Sequence, residues 1–303
     1  MASDARVIAC IVLNWNGGLD TERCIRSLMD SKGTNPDIVV VDNGSSDGSP
    51  ERLMELFPQV SMLCQSANLG VAKAFNIGVE WALVRGHEFI FFLNNDAILQ
   101  EDCLAILEEV LMREGSVSVV SPRILDGSVP GKLWFDGGRR NVFGDFVHVG
   151  MGHSTSGEEQ IRQTDFASGC AMLVRSDAFE EVGVFDEKYF AYSEDAEWCS
   201  RVKRKGRQVA HAPRALATHF PSSATIRNKG KWFRDYYVTR NKLLFVSGEL
   251  RGMRWMIFLI YYAIMYVVMP SLFFLLAGQF QRIVAVWNGA ADFVKGRFGP
   301  RYS

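Results

Sequence analysis

Apolar residues along this chain come in short unbroken runs, and nearly every run stops in a cluster of small polar side chains. Residues 7–13 (VIACIVL) lead into Asn14-Trp15-Asn16-Gly17-Gly18, and residues 38–41 (IVVV) into Asp42-Asn43-Gly44-Ser45-Ser46-Asp47-Gly48. Residues 89–93 (FIFFL) stop at Asn94-Asn95-Asp96. Consecutive apolar residues without alternation predict strands buried on both faces, as in a parallel sheet covered by helices. Between the runs the period becomes helical: Cys24, Ile25, Leu28 and Met29 within 21–31, and Phe75, Val79 and Leu83 within 72–84. The same reading predicts helices at 51–57, 102–113, 176–182 and 195–205, and strands at 60–64, 117–120 and 170–174. Ser49 and Pro50 suit the start of the 51–57 helix, and Gly206 suits a left-handed stop after 205. Strands alternating with helices at this spacing specify an α/β fold with a doubly wound, mostly parallel sheet.

Two stretches depart from this rhythm. From 127 to 165 Gly, Arg, Asn and His replace the apolar runs, which predicts an irregular insertion, containing a hairpin, able to cover an active site. Residues 255–277 (WMIFLIYYAIMYVVMPSLFFLLA) carry no charge and are long enough to cross a hydrocarbon core. Arg251 and Arg254 precede this stretch and Arg282, Lys295, Arg297 and Arg301 follow it, so positive charge does not orient it. Its tyrosines, tryptophan and Pro270 equally suit a helix pair lying in the interface. The expected division is an α/β domain over 1–245 and a membrane-associating helical region over 246–303.

A formal net charge of −1 argues against nucleic-acid binding through bulk positive charge. The six cysteines form no CxxC pair and mostly sit among apolar residues, which predicts buried free thiols in a reducing compartment. Residues 1–4 run straight into the first strand, so no secretory signal is expected there.

Ligands of open α/β sheets gather at the carboxyl ends of strands, where the polar clusters fall. Asp42 ends the second strand and is followed by small residues rich in backbone N–H groups. Asn68-Leu69-Gly70 opens a helix that also carries Lys73, Asn76 and Gly78. Asn94-Asn95-Asp96 supplies one carboxylate, and one or two carboxylates plus substrate phosphates is a common setting for Mg²⁺ or Mn²⁺. Such an ion would neutralise a departing diphosphate. Glu194 and Asp195 stand at a helix start, as charges favoured by the helix terminus or as a general base for a hydroxyl. His219 follows a short apolar strand, as a structural residue or a further metal ligand. Residues 229–241, basic and aromatic, suit either an amphipathic helix packed on the core or cations facing anionic lipid or an acceptor pyrophosphate.

In combination these segments resemble the family 2 glycosyltransferases, inverting nucleotide-sugar-dependent enzymes of the GT-A fold. The resemblance runs from about residue 6 to 250. It rests on residues 40–49, Asn68-Leu69-Gly70 with Asn76-Ile77-Gly78, residues 91–96, Ser168-Gly169-Cys170-Ala171-Met172, Gly183-Val184-Phe185-Asp186-Glu187 and Tyr192-Ser193-Glu194-Asp195. Asn14-Trp15-Asn16-Gly17 and residues 185–198 look most like the branch with bacterial rhamnosyl- and galactofuranosyltransferases of cell-surface polysaccharides. The resemblance implies that Asp42 holds the nucleoside. It implies that Asn14, Asn16, Asn43, Asn68, Gly70, Lys73, Asn76, Asn94 and Asn95 line the donor pocket. Asp96 would be the direct ligand of Mg²⁺ or Mn²⁺ with His219 beside it, and Asp195 the catalytic base with Glu194 its rival. Asn94 stands where the family's metal motif has its first Asp, which removes one charge.

The implied donor is a dTDP-, UDP- or GDP-sugar, dTDP-rhamnose first. The implied acceptor is a glycan or polyprenyl-linked saccharide, the further partner membrane lipid and the location the cytoplasmic face of the cell membrane. A non-catalytic nucleotide-sugar-binding protein on the same fold is the alternative, and Asn94 is its best support. A Rossmann dehydrogenase is disfavoured because no GxGxxG follows the first strand, and a polymerising synthase because QxxRW is absent.

Overall fold

The computed structural model describes residues 7–155, 157–221 and 230–301. The apolar runs become its central strands: β1 (Val7–Asn14), β2 (Asn35–Asp42), β3 (Ser61–Cys64) and β4 (Phe89–Asn94). They pair in parallel, in the order β4-β1-β2-β3, with α1 (Gly18–Met29), α2 (Ser49–Leu56) and α3 (Val71–Val84) as crossovers. Phe89 to Leu93 and Ile8 to Val12 are fully buried, as unbroken apolar runs require of a sheet covered on both faces.

After β4 come the short β5 (Ala97–Leu99), α4 (Cys103–Arg113) and β6 (Val117–Asp126). The insertion holds β7 (Leu133–Phe135) on β6, a hairpin of β8 (Gly138–Arg140) with β9 (Phe146–His148), and β10 (Arg162–Gln163). Then follow β11 (Ala171–Arg175), α5 (Asp177–Val182), α6 (Glu194–Arg204) and β12 (Gln208–His219). The full sheet reads β10-β12-β6-β11-β4-β1-β2-β3, with β5 and β7 paired at its margin. β11 is antiparallel to both β4 and β6, so the mostly parallel sheet carries one reversed strand at its centre.

β6 runs six residues past the predicted 117–120, because Pro122 and Arg123 interrupt the apolar pattern without ending the strand. Opposite Pro122 the ladder with β12 is irregular, the register jumping between Ala212 and Leu216, which accommodates a residue with no N–H to donate. Gly48, not Ser49, precedes α2, and Ser49 with Pro50 forms its first turn. Gly206 takes φ +81° just beyond α6, as its left-handed stop requires. All six cysteines are free, and all but Cys64 are buried.

The C-terminal region holds α7 (Lys231–Glu249), α8 (Gly252–Leu276), which includes a π-helical stretch at Ala263–Val268, and α9 (Phe280–Val294). The boundary expected at 245/246 cuts through α7. Tyr189, Phe245 and Val246 share one buried cluster with Phe258, Tyr262, Phe274 and Val286, and Phe143 and Phe146 of the insertion pack against it. The tail is therefore a layer of the same body. Of residues 229–241, Lys229 lies outside the described residues; in the rest, Phe233, Tyr236, Tyr237 and Arg240 are buried while Lys231 and Arg234 stay exposed. Arg240 donates to the carbonyls of Gly299 and Lys188, at 2.7 and 3.1 Å, so this cation is a core fastener and does not face a lipid or a pyrophosphate.

Candidate active site

One rim of the sheet collects the polar cluster ends. Asn14 pairs with Asp42 across β1 and β2, and Leu13 pairs with Asn94 across β1 and β4. Strand spacing therefore puts Asp42 and Asn94 about 10 Å apart along the rim. Asn14, fully buried, donates to Asp42 Oδ1 (2.8 Å) and Ser49 Oγ (2.8 Å) and accepts from Thr21 Oγ1 (2.7 Å). Asp42 also accepts from the Ser45 backbone N–H (3.0 Å) and hydroxyl (2.6 Å). Asn14 thus fixes Asp42 from behind and is not itself presented to a ligand. Asn16, with φ 51°, accepts from the Ser46 N–H at 2.8 Å and shapes the same loop.

Asn43 and Asn68 brace the next loop. Asn43 Oδ1 accepts from the Leu69 N–H (2.8 Å), and Asn68 Oδ1 accepts from the Gly70 N–H (2.9 Å). Gly70 has φ +87°, and a Cβ there would lie 2.4 Å from the Phe190 carbonyl oxygen, so only glycine lets α3 start against this loop. The Val71 N–H donates to that carbonyl at 2.6 Å. Lys73, half exposed, pairs with Glu187 at 3.2 Å. Asn76 departs from the expectation. Its amide donates to the Phe185 carbonyl (3.0 Å) and accepts from the Phe185 N–H (2.9 Å), which makes it a clamp on the 183–187 loop and leaves little of it for a donor.

Asp96 and His219 meet although they are far apart in sequence. His219 ends β12 opposite Ala97 of β5, and its Nε2 lies 3.1 Å from Asp96 Oδ1, both side chains largely buried. Asn95 turns away to donate to Thr21 Oγ1 at 2.9 Å. Trp134 of the insertion sets its ring edge-on to His219, centroids 4.4 Å apart. No group of three His, Cys, Asp or Glu suited to a metal exists among the described residues. The donor set is thus one carboxylate and one imidazole, and their separation is that of two neighbouring ligands on an octahedral ion, which at ~2.1 Å bond lengths stand about 3 Å apart. Such an ion would need further oxygens, which a diphosphate and water supply. The residues fit a substrate-completed divalent site.

Asp195 opens α6. Its Oδ2 accepts from the Gly169 N–H (2.8 Å) and its Oδ1 from the Ala196 N–H (2.7 Å). Burial raises its pKa and these N–H groups act in the opposite direction. Glu194 beside it is buried, and its Oε2 has no hydrogen-bond partner among the described residues. Burial and then the Asp195 charge push its pKa up, which favours its protonated form. Between the two neighbours, Asp195 is the one equipped to stay ionised. The Cys170 carbonyl accepts the Asn94 N–H at 2.9 Å while the adjacent Gly169 holds Asp195, so Asp195 and the turn that carries Asp96 belong to the same end of β4.

Tyr192 and Ser193, immediately before the pair, hold φ of 68° and 73°, a backbone region that side chains other than glycine rarely adopt. Asn241, fully buried on α7, donates to the carbonyls of Ala191 and Tyr192 at 2.7 and 2.8 Å and holds this loop from behind. The identity of Asn241 gave no sequence signal, because a single Asn in a helix reads as surface. Asn241→Ala is expected to leave one buried and one part-buried carbonyl without this partner, at about 1–3 kcal/mol for the buried one, and to lower turnover at least tenfold with donor binding unchanged. Stopped-time product assays beside donor-dependent thermal shifts check this.

Ser121, His211 and Asp136 form another polar line, with Ser121 Oγ 3.2 Å from His211 Nδ1 and His211 Nε2 3.0 Å from Asp136. It resembles a hydrolytic triad in residue type only. Ser121 and His211 are completely buried, and Asp136 is tied to Arg123 (2.7 Å) and Arg162 (2.9 Å). Burial opposes ionisation of Asp136, yet its His211 and Arg123 hydrogen bonds hold it well below the usual carboxylate range. The network fastens the insertion to the sheet.

The sequence pattern of glycosyl transferase family 2 matches residues 9–183, more than half of the chain. The chain belongs to that family. The match takes in the Asp42, Asn68 and Asp96 segments of this family 2 glycosyltransferase and stops before Glu194, Asp195 and His219. An N-acetylglucosaminyl-diphospho-decaprenol L-rhamnosyltransferase of Mycobacterium tuberculosis is 28% identical over 241 residues, 73% of this chain and 78% of its own. The dTDP-rhamnosyl transferase RfbF of Shigella flexneri is 26% identical over 247 residues, 78% and 79% respectively. Among solved structures, GalNAc-T7 with UDP, GalNAc and Mn²⁺ superposes with a TM-score of 0.60 at 13% identity, over 80% of this chain and 51% of that one. The chain spans about half of that structure's length, and the likeness establishes the GT-A fold alone.

Proposed function

We propose that this glycosyltransferase moves a deoxyhexose, rhamnose first, from a dTDP-sugar to a hydroxyl of a polyprenyl-diphosphate-linked saccharide. The reaction runs with inversion, at the cytoplasmic face of the cell membrane. The observation that carries the reading is the Asp96–His219 pair at the end of β4, with Asp195 held by Gly169 next to Cys170, whose carbonyl accepts the Asn94 N–H at that same strand end, beside the pinned Asp42 loop. Two relatives whose names specify rhamnosyl transfer support the donor, and the decaprenol-linked substrate named for one of them supports the acceptor.

In this mechanism the acceptor hydroxyl oxygen attacks the anomeric carbon while the bond from that carbon to the diphosphate oxygen breaks on the opposite face. The acceptor proton passes to Asp195, whose two oxygens each keep a lone pair beyond their backbone N–H bonds. Glu194, whose protonated form burial and the Asp195 charge favour, is asked for no proton transfer. Asp96 and His219 would hold Mg²⁺ or Mn²⁺, and that ion would neutralise the charge developing on the nucleoside diphosphate. The Asp42 loop would grip the nucleoside, and Trp134 and the insertion would keep water from the reacting centre.

The test is a donor panel, dTDP-rhamnose first, with a polyprenyl-diphosphate N-acetylglucosamine acceptor and Mn²⁺. Product mass and anomeric configuration by NMR are the readouts. Transfer of rhamnose with inversion is expected. Donor-dependent thermal stabilisation without transfer or hydrolysis would favour the binding-protein alternative, and a retained configuration would remove the single-displacement mechanism.

A further inference from the structure

α8 and α9 together present an apolar face that no other described residue covers. Met253, Phe273 and Leu276 on α8 are 75, 65 and 90% exposed, and Phe280 just beyond the turn is 64% exposed. The opposite face of α8 is committed to the catalytic body. Phe258, Tyr262 and Phe274 are buried there, the Tyr262 hydroxyl donates to the Thr239 carbonyl at 3.1 Å, and the Tyr266 hydroxyl donates to Asp145. Asp145 is itself buried and paired with Lys242.

α8 is long and apolar enough to cross a bilayer, with a mean hydropathy of 2.1 over its most apolar window. Crossing would surround it with lipid on every side. The Tyr262 and Tyr266 bonds would break, and the buried Asp145–Lys242 pair would lose the wall that covers it. A helix laid flat keeps all of these and gives only its free face to lipid. The charges agree. From 250 to 303 the sole acidic residue is Asp292, which the Tyr236 hydroxyl contacts at 2.8 Å. Arg251, Arg254 and Lys295 are exposed at the ends of the two helices.

We propose that α8 and α9 form an in-plane hairpin that docks on the surface of an anionic phospholipid bilayer, entering one leaflet without spanning it. This deepens the membrane location given above and does not depend on which sugar is moved. α9 packs directly on α7, where a Cβ on Gly289 would lie 2.5 Å from the Tyr236 carbonyl oxygen. α7 in turn holds the catalytic loop through Asn241, so about one helix diameter, ~10 Å, separates the docking layer from that loop's support.

The test uses the full chain. Flotation with phosphatidylcholine vesicles containing phosphatidylglycerol is expected to carry the protein, with several-fold weaker binding to pure phosphatidylcholine. The double variant Phe273→Glu/Phe280→Glu is expected to bind at least tenfold more weakly while keeping its melting temperature and donor-dependent stabilisation. In sealed vesicles, a membrane-impermeant maleimide should label Gln279→Cys from the same side as the exposed native Cys64. Labelling from opposite sides would show a spanning helix and overturn the proposal. So would a lipid-free dimer that the double variant dissolves while the wild type ignores vesicles. Failure of rhamnosyl transfer leaves these readouts unmoved.

Discussion

Asp195→Asn is expected to lower kcat by about 10²–10⁴-fold, the usual worth of a positioned general base, while dTDP-sugar binding stays near that of the wild type. The expectation rests on how Asp195 is held. Both of its oxygens accept backbone N–H groups, from Gly169 and Ala196, so the carboxylate is aimed and kept available as an acceptor. Asparagine keeps one such bond and sets an amide NH₂ against the other N–H. It cannot take a proton at neutral pH. Glu194→Gln should behave differently. Burial and the neighbouring charge favour the protonated form of Glu194, which the neutral amide mimics. Turnover within about tenfold of the wild type is expected, because no proton transfer is asked of it. Near-normal turnover for Asp195→Asn together with collapse for Glu194→Gln would exchange the two roles.

The same residues fix the pH dependence. In the proposed mechanism the base must be ionised, so kcat/KM is expected to fall as pH drops through the Asp195 pKa, which burial raises. The acid limb should therefore lie above the ordinary aspartate range near 3.9. Glu194 acts on stability with its own sign. A carboxyl that keeps its proton when folded and loses it when unfolded makes stability decline as pH rises from the ordinary glutamate range to about 8. Glu194→Gln removes the Glu194 share of that slope, and melting curves across this window report it.

The parts of this arrangement that the sequence announces are those written in uninterrupted apolar runs. β1, β2 and β4 are visible because burial on both faces leaves no alternation to misread, and their polar ends mark the rim where Asp42 and Asp96 sit. The reversed direction of β11 is not visible, since an apolar run carries no sign of strand polarity. β6 is cut short in the sequence reading because Pro122 and Arg123 look like a terminus. In the fold, Arg123 is neutralised by Asp136 and Pro122 sits at an irregular ladder position. Asn76 reads as pocket lining beside two glycines, yet its amide matches the Phe185 backbone, a partner 109 residues away. Arg240 reads as a surface cation for the same reason: its partners, the Lys188 and Gly299 carbonyls, are backbone groups that no side-chain pattern reveals. Asp96 and His219 were legible as candidates, but their approach to 3.1 Å depends on β5 pairing with β12, a non-local contact. The apolar length of the tail was legible by hydropathy. Its attachment was not, because that depends on Asp145 and Lys242 in two other segments.

Asp96→Ala is expected to reduce turnover by roughly three orders of magnitude, since Lewis-acid support of a leaving diphosphate is worth several kcal/mol and each 1.36 kcal/mol is tenfold in rate. Binding gives an independent readout. In the wild type, Mn²⁺ and dTDP together should stabilise the fold beyond either alone, by about 2.7 kcal/mol when the ternary ligand stands at a hundred times its Kd. Asp96→Ala should abolish this cooperative increment and leave the small shift from dTDP alone, because the Asp42 loop lies about 10 Å along the rim from the strand end that leads to Asp96. His219→Ala should keep part of the increment and regain turnover as Mn²⁺ is raised. It removes one neutral ligand while the carboxylate remains, and it leaves a gap against Trp134. Asn94→Asp restores the charge that the family's motif carries and should tighten Mn²⁺ in the same assay. Full activity of the wild type in excess chelator, with Asp96→Ala still inactive, would separate the two roles open to this carboxylate. Asp96 would then act as a direct partner of the donor, with His219 fixing its position, and the ion would be unnecessary.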